Sequence, residues 1–178
     1  MISTYTDFEG NPYKKPNTEN IIKNVSKEEI VTFFNLCCTI GGYIVFPAKK
    51  NNGNTINQER WRLKDRFDLT LECIRLWYIG EKDPVKNPLS DCLERYKDFF
   101  ELFQDFKGYV EFFLLDDLVD KDKKQVRFWL RFESFDKTPY LPNAKEYKTY
   151  MDKVSVFIKA RNARIDEFEK MRIIAAEK

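Results

Sequence analysis

Val126-Arg127-Phe128-Trp129-Leu130-Arg131-Phe132 is the stretch on which the fold assignment turns. Its side chains alternate strictly. Val126, Phe128, Leu130 and Phe132 fall on one side of an extended chain and Arg127, Trp129 and Arg131 on the other, the period-2 signature of a half-buried strand. Tyr43-Ile44-Val45-Phe46, closed by Pro47, is a second β-prone run. Together they predict a small sheet.

The segments around these runs read as helices. Ser26, with Glu29 three residues on, has the form of a capping box. The following apolar positions predict a helix to about Ile40, stopped by Gly41-Gly42 with positive φ. Lys49–Thr55 is a polar turn. Phe67, Leu71, Ile74 and Tyr78 set one face of a helix over about 57–78, with Asp65, Asp68, Glu72 and Arg75 on the opposite face. After the proline-broken 80–88 stretch, a third helix begins near Leu89. It carries Phe99, Phe103, Phe106, Val110, Leu114 and Leu118, and Gly108 is a candidate break; Tyr109–Leu115 reads either as its continuation or as a strand. Residues 134–143 form a loop with two prolines.

From Ala144 the stripe Tyr147, Met151, Val154, Ile158, Arg161, Ile165, Phe168 and Arg172 steps alternately by four and three, a helix packed on a core. Such a helix exceeds the roughly 40 Å diameter of a domain this size, so it must end early, bend near Arg161-Asn162 or project. The expected fold class is α+β: three to four helices packed on a small, mostly antiparallel sheet. Residues 1–24 form an irregular arm, tacked down by Tyr5, Phe8 and Tyr13, and 25–178 a single globular domain with a long C-terminal helix.

Composition bounds the chemistry. The 178 residues include sixteen Phe, nine Tyr and three Trp, enough apolar surface to offset the ordering entropy of a folded chain. The 31 Lys and Arg nearly balance 29 Asp and Glu, so no global field steers the chain to nucleic acid or anionic lipid. Locally it is basic over 47–80, acidic over 81–125 and basic again over 126–178. There is no window of about 18 apolar residues and no basic-then-apolar leader, so a cytoplasmic protein without a membrane segment is expected. Cys37, Cys38, Cys73 and Cys92 form no CxxC pair and read as reduced thiols packing as small hydrophobes. No histidine is present. That excludes Ser-His-Asp and Cys-His nucleophilic sites and leaves carboxylates, Arg, Lys, Tyr or a thiolate for any catalysis. No metal site and no cofactor is expected. The acids Asp116, Asp117, Asp120 and Asp122 read as a solvated turn.

Three constellations stand out. Asn57, Gln58, Arg60, Arg62, Lys64, Asp65, Arg66 and Asp68 gather cations and amides able to bind a phosphate or carboxylate, or to form an ion-paired helix face; Arg75 extends it. Arg161, on an otherwise apolar stripe beside Asn162 and near Arg164, must meet a carboxylate (Asp65, Asp68 or Glu72) or line a pocket. Arg127, Trp129 and Arg131 suit base stacking and phosphate contact, or the solvent side of an edge strand.

The segments IGGYIVFP (40–47), TINQERWRLKDRFDLTLECIRLWY (55–78), NPLSDCLERYKDFFELFQDFKGYVEFFLLDDLVD (87–120) and FIKARNARI (157–165) resemble a family of uncharacterised bacterial and phage proteins. The resemblance runs from about residue 27 onward, implies a single domain and brings no established activity. It places Asn57, Arg60, Arg66, Asp68, Arg75, Arg161 and Arg164 within its blocks. The wealth of Lys, Asn, Phe and Tyr fits an AT-rich genome. The function expected is a non-catalytic binding or interaction protein, with another protein as partner, of the kind that serves as an accessory factor in phage–host conflict. Two alternatives stand beside it. One is an enzyme or sensor acting on a nucleotide or other phosphorylated ligand where Arg66, Asp68, Arg161 and Asn162 converge on one pocket. The other is a nucleic-acid-binding module using Arg127, Trp129 and Arg131.

Overall fold

Helices account for nearly all the regular structure. The computed structural model describes residues 5–6, 12–13, 24–48, 53–63, 66–137 and 144–176, the side chains of 5, 6, 12, 13, 61, 62, 137 and 176 excepted. Lys64, Asp65, the Arg62 side chain, residues 49–52 of the polar turn, 138–143 of the proline loop, and Phe8 with the side chains of Tyr5 and Tyr13 lie outside the described residues. Among the described residues seven helices follow one another: α1 (Lys27–Cys37), α2 (Ile56–Glu59), α3 (Phe67–Tyr78), α4 (Ser90–Arg95), α5 (Lys97–Glu101), α6 (Phe106–Phe112) and α7 (Ala144–Ala176).

The expected α+β architecture is therefore wrong. The strand pairing among the described residues amounts to a two-residue antiparallel ribbon, Tyr5–Thr6 with Pro12–Tyr13, and one bridge between Val119 and Val126. Residues 43–48 and 127–132 are irregular. The reason lies in where the backbone bonds of 126–132 go. Arg127 N–H donates to Leu118 O at 2.8 Å, but Trp129 N–H donates to a side chain, Asp68 Oδ2, at 3.0 Å. Lys153 Nζ donates to Trp129 O at 2.8 Å. Side chains have taken the place of a neighbouring strand, and alternation alone cannot supply one.

α3 is the centre of the core. Phe67 to Ile74 are buried without interruption, Asp68, Thr70 and Glu72 included. The face read as polar is thus interior at Asp68 and Glu72, and each of these two acids carries its own arginine. The predicted 57–78 helix is broken: α2 gives way to a 3-10 turn at Arg60–Leu63, and Arg66 is extended (φ −77°, ψ 121°) before α3 starts. The third predicted helix is likewise divided into α4, α5 and α6. Gln104 (φ 68°) and Leu114 (φ 55°) take left-handed conformations on either side of α6, and Tyr109–Phe112 is helix, not strand. An aromatic cluster fills the space between α3 and α4–α6. Phe99, Phe100, Phe103, Tyr109 and Phe113 stand with neighbouring ring centroids 4.8–6.5 Å apart, distances at which offset and edge-on pairs add to plain area burial.

α1 begins with the expected capping box: Glu29 N–H donates to Ser26 Oγ and Ser26 N–H to Glu29 Oε2, both at 3.1 Å. It ends at Cys37, and Ile40–Gly42 forms a separate 3-10 turn. Neither Gly41 nor Gly42 has a positive φ. Gly41 is needed for space: a Cβ there would stand 2.6 Å from Ile158 O and 2.7 Å from Asn162 Oδ1 on α7.

α7 is one uninterrupted helix of 33 residues, about 50 Å long at 1.5 Å per residue. Of the three outcomes open to it, it projects. Met151, Val154, Phe157, Ile158 and Arg161 are buried, whereas every residue from 166 to 175 is exposed.

Candidate functional site

The residues singled out by charge form two polar junctions with no partner in common. At the first, Arg66 precedes α3 and Asp68 lies in its first turn, where the helix N-terminus favours a carboxylate. Arg66 Nε and Nη2 donate to Asp68 Oδ1 and Oδ2 at 3.1 and 2.5 Å, and both side chains are buried. Arg66 Nη2 also approaches Leu130 O at 3.5 Å, and Asp68 Oδ2 receives Trp129 N–H. This forked pair fastens 129–130 to the head of α3. One turn along, Arg75 grips Glu72 through two bonds of 2.7 Å, and that contact holds the Arg75 guanidinium above its usual pKa.

At the second junction, α7 meets the 39–43 turn and the end of α6. Arg161 Nε donates to Phe113 O at 2.8 Å, and Nη1 donates to Gly41 O at 2.9 Å and Tyr43 O at 2.7 Å. The carboxylate expected as its partner is not among these contacts. Main-chain carbonyls at the end of α6 and of the 3-10 turn take its place, because the last carbonyls of a helix have no partner within it and carry partial negative charge. Burial pushes the Arg161 guanidinium below its ordinary pKa. Asn162 completes the clamp: its Oδ1 accepts Gly41 N–H at 2.7 Å and its Nδ2 donates to Thr39 Oγ1 at 2.8 Å. Arg164 donates to Leu114 O at 3.1 Å and to Asp117 Oδ2 at 2.6 Å.

The remaining candidates lie around these junctions. Arg60 is half-buried, donates to Thr70 Oγ1 at 3.0 Å, and lies 5.9 Å from the centroids of both the Phe46 and Phe67 rings. Asn57 is exposed, with its Oδ1 3.4 Å from Arg60 Nη1. Arg127 and Arg131 are exposed, and Arg131 pairs with Glu133. Trp129 does not share their face. Its indole is buried against Tyr150 and Phe157 of α7, at 5.6 Å from each ring.

Two features escaped the sequence reading. The hydroxyl of Tyr109 is buried with no hydrogen-bond partner, and burial pushes its pKa well above the ordinary range while Arg60 and Arg161 pull it down. An unpaired hydroxyl leaves no mark in a sequence. The other is an exposed apolar ledge. Val31 and Phe34, spaced by three on α1, precede Ile40, Tyr43 and Val45, all exposed. Cys38 is exposed and Cys37 half-buried, whereas Cys73 and Cys92 are buried as expected of packed thiols. No group of three or more metal-ligating side chains occurs among the described residues. No helix among them is long and apolar enough to cross a membrane.

Fold and polar clusters together define a helical domain whose conspicuous arginines are engaged with the chain's own carbonyls and carboxylates. The chain belongs to DUF6994, a family of unknown function whose match spans residues 3–165. That span includes both junctions and stops where α7 leaves the core. No curated protein and no solved structure matches the chain.

Proposed function

We propose that this chain is a non-catalytic protein-binding domain that engages another protein through the ledge formed by α1 and residues 40–45. The observation that carries this reading is the exposure of five large apolar side chains in one short stretch: Val31 47%, Phe34 65%, Ile40 62%, Tyr43 58% and Val45 72%. With aromatic residues presenting roughly 150–250 Å² each and aliphatics somewhat less, this ledge exposes on the order of 600 Å². That is the upper end of what a monomer leaves open without a use for it. It falls short of the roughly 800 Å² per partner of a standard interface, which favours a transient complex with a different protein over a permanent dimer of this chain. The engagement of the arginines supports the same reading, since Arg66, Arg75, Arg161 and Arg164 each spend donors on internal partners.

A photo-crosslinking residue placed at Phe34 or Tyr43 in the native host tests the proposal. One defined partner is expected from both positions and none from Val85, an exposed apolar control. Phe34→Glu should weaken the purified complex at least tenfold, as removal of a buried aromatic anchor does. Equal crosslinking from Val85, or an unchanged affinity for Phe34→Glu, rejects the ledge. Turnover of a nucleotide that is lost on Arg66→Ala, in a variant that still folds, rejects the non-catalytic assignment.

A further inference from the structure

We propose that the projecting end of α7 is a self-association surface, along which a second copy of this chain lays the same segment, residues 165–175, antiparallel. Every residue from 166 to 175 is exposed, yet the segment is not uniformly polar. Phe168, Met171 and Ile174, spaced by three, are each more than half exposed. They follow on from half-buried Ile165, where the stripe that packs α7 on the core runs out. Ala175 lies one turn beyond Met171 and two beyond Phe168, on the same side of the helix. The result is an apolar ridge that leaves the core and touches none of it. Three turns of helix without a neighbour are marginal in water, and a second helix laid on the ridge stabilises them while covering the apolar side chains.

The charges beside the ridge select the occupant. At 100° per residue, Glu169 and Arg172 fall on one flank of Phe168 and Met171, and Glu167 and Lys170 on the other. Each flank therefore runs acid then base, three residues apart. In an antiparallel pair related by a two-fold axis, each flank faces its own copy with the chain direction reversed, so acid meets base along both edges. A parallel pair sets one flank against the other at equal height and brings acids beside acids and bases beside bases. Within one chain Arg172 already holds Glu169 through bonds of 3.1 and 2.7 Å from Nε and Nη2. A guanidinium has five donors, so Nη1 remains to reach the same carboxylate of the copy. The segment thus carries its own complement, which another protein would have to match by chance. The ridge exposes on the order of 400 Å² per chain, against roughly 800 Å² per partner in a standard interface. The pair is accordingly a reversible one that forms at high concentration.

Sedimentation equilibrium of the full chain at low salt tests this. The mean mass should climb from one chain toward two between about 5 and 500 µM, the range of a small interface. Phe168→Glu changes a residue outside the core and should weaken pairing at least roughly tenfold, as loss of an aromatic anchor does. Phe34→Glu, on the separate α1 ledge, should leave it unchanged. Two charge variants then probe the flanks. Glu167→Lys with Glu169→Lys leaves only bases there, and Lys170→Glu with Arg172→Glu leaves only acids. Each alone should remain monomeric over the same range, and an equimolar mixture should pair. A one-chain mass for the wild type throughout overturns the proposal. So does pairing that survives Phe168→Glu or is lost in Phe34→Glu, or a mixture no more associated than its two components.

Discussion

Replacing Arg161 by methionine tests whether the clamp at the end of α6 is structural. Methionine retains much of the side-chain volume and loses four bonds, to Phe113 O, Ile40 O, Gly41 O and Tyr43 O. A hydrogen bond to a charged group contributes about 1.5–3 kcal/mol, and a buried carbonyl stripped of its donor costs about 1–3 kcal/mol. Two of the four bonds are buried, so their loss costs about 3–6 kcal/mol. Relief of the buried guanidinium's own desolvation opposes this and returns part of it. A net loss of about 3 kcal/mol follows, or about 6–12 °C in Tm for a domain of this size. Arg161→Lys keeps the charge and reaches fewer carbonyls, so it should fall between wild type and methionine. Urea unfolding followed by circular dichroism measures both. Hydrogen exchange adds a local readout, because the Gly41 amide, bonded to Asn162, should lose protection while the amides of α3 keep theirs. A loss under about 1 kcal/mol for Arg161→Met, or a lysine variant weaker than methionine, would refute the clamp.

Two further outcomes follow from the same geometry. Asp68→Ala strands the buried Arg66 and the Trp129 amide together; a loss of about 3–5 kcal/mol is expected, with a red shift of tryptophan emission as 129–130 detaches, and Asp68→Asn should cost less because it keeps an acceptor. Glu29 is lowered from 4.5 to about 2, first by its bond to Lys148 and then by the Ser26 amide and hydroxyl. Since folding favours its carboxylate, the contribution is complete above pH 4.5 and disappears as pH falls from 4.5 toward 2. Proteolysis within α1 should therefore rise over that window in the wild type and show a smaller pH dependence in Glu29→Gln; identical profiles would contradict the assignment.

Legibility followed the range of the interactions. The Ser26–Glu29 cap and the α7 stripe from Met151 to Ile158 could be read directly, because each depends on neighbours within one or two turns. The break between α2 and α3 could not, since no proline or glycine marks it; Arg60 turns back to Thr70 and to the rings of Phe46 and Phe67. The same applies to the polar residues. That Arg66, Asp68, Arg161 and Asn162 need polar partners was visible from their chemistry, but apart from the Arg66–Asp68 pair itself they reach carbonyls and amides 48 to 121 residues away, and main-chain atoms look alike at every position.

Read without coordinates, the chain is helix-rich and histidine-free, with an arginine that cannot rest unpaired on an apolar stripe. Those conclusions depend on residue type and spacing, and they hold in the folded molecule. The irregular course of 43–48 and 127–132, the burial of α3 from Phe67 to Ile74 and the inward turn of Trp129 depend instead on which distant groups are at hand to satisfy a backbone donor. Asp68 and Lys153 bind the main chain at Trp129 where a sheet would need another strand. Alternation shows what a segment is able to pair with, and the packed chain settles whether that partner arrives.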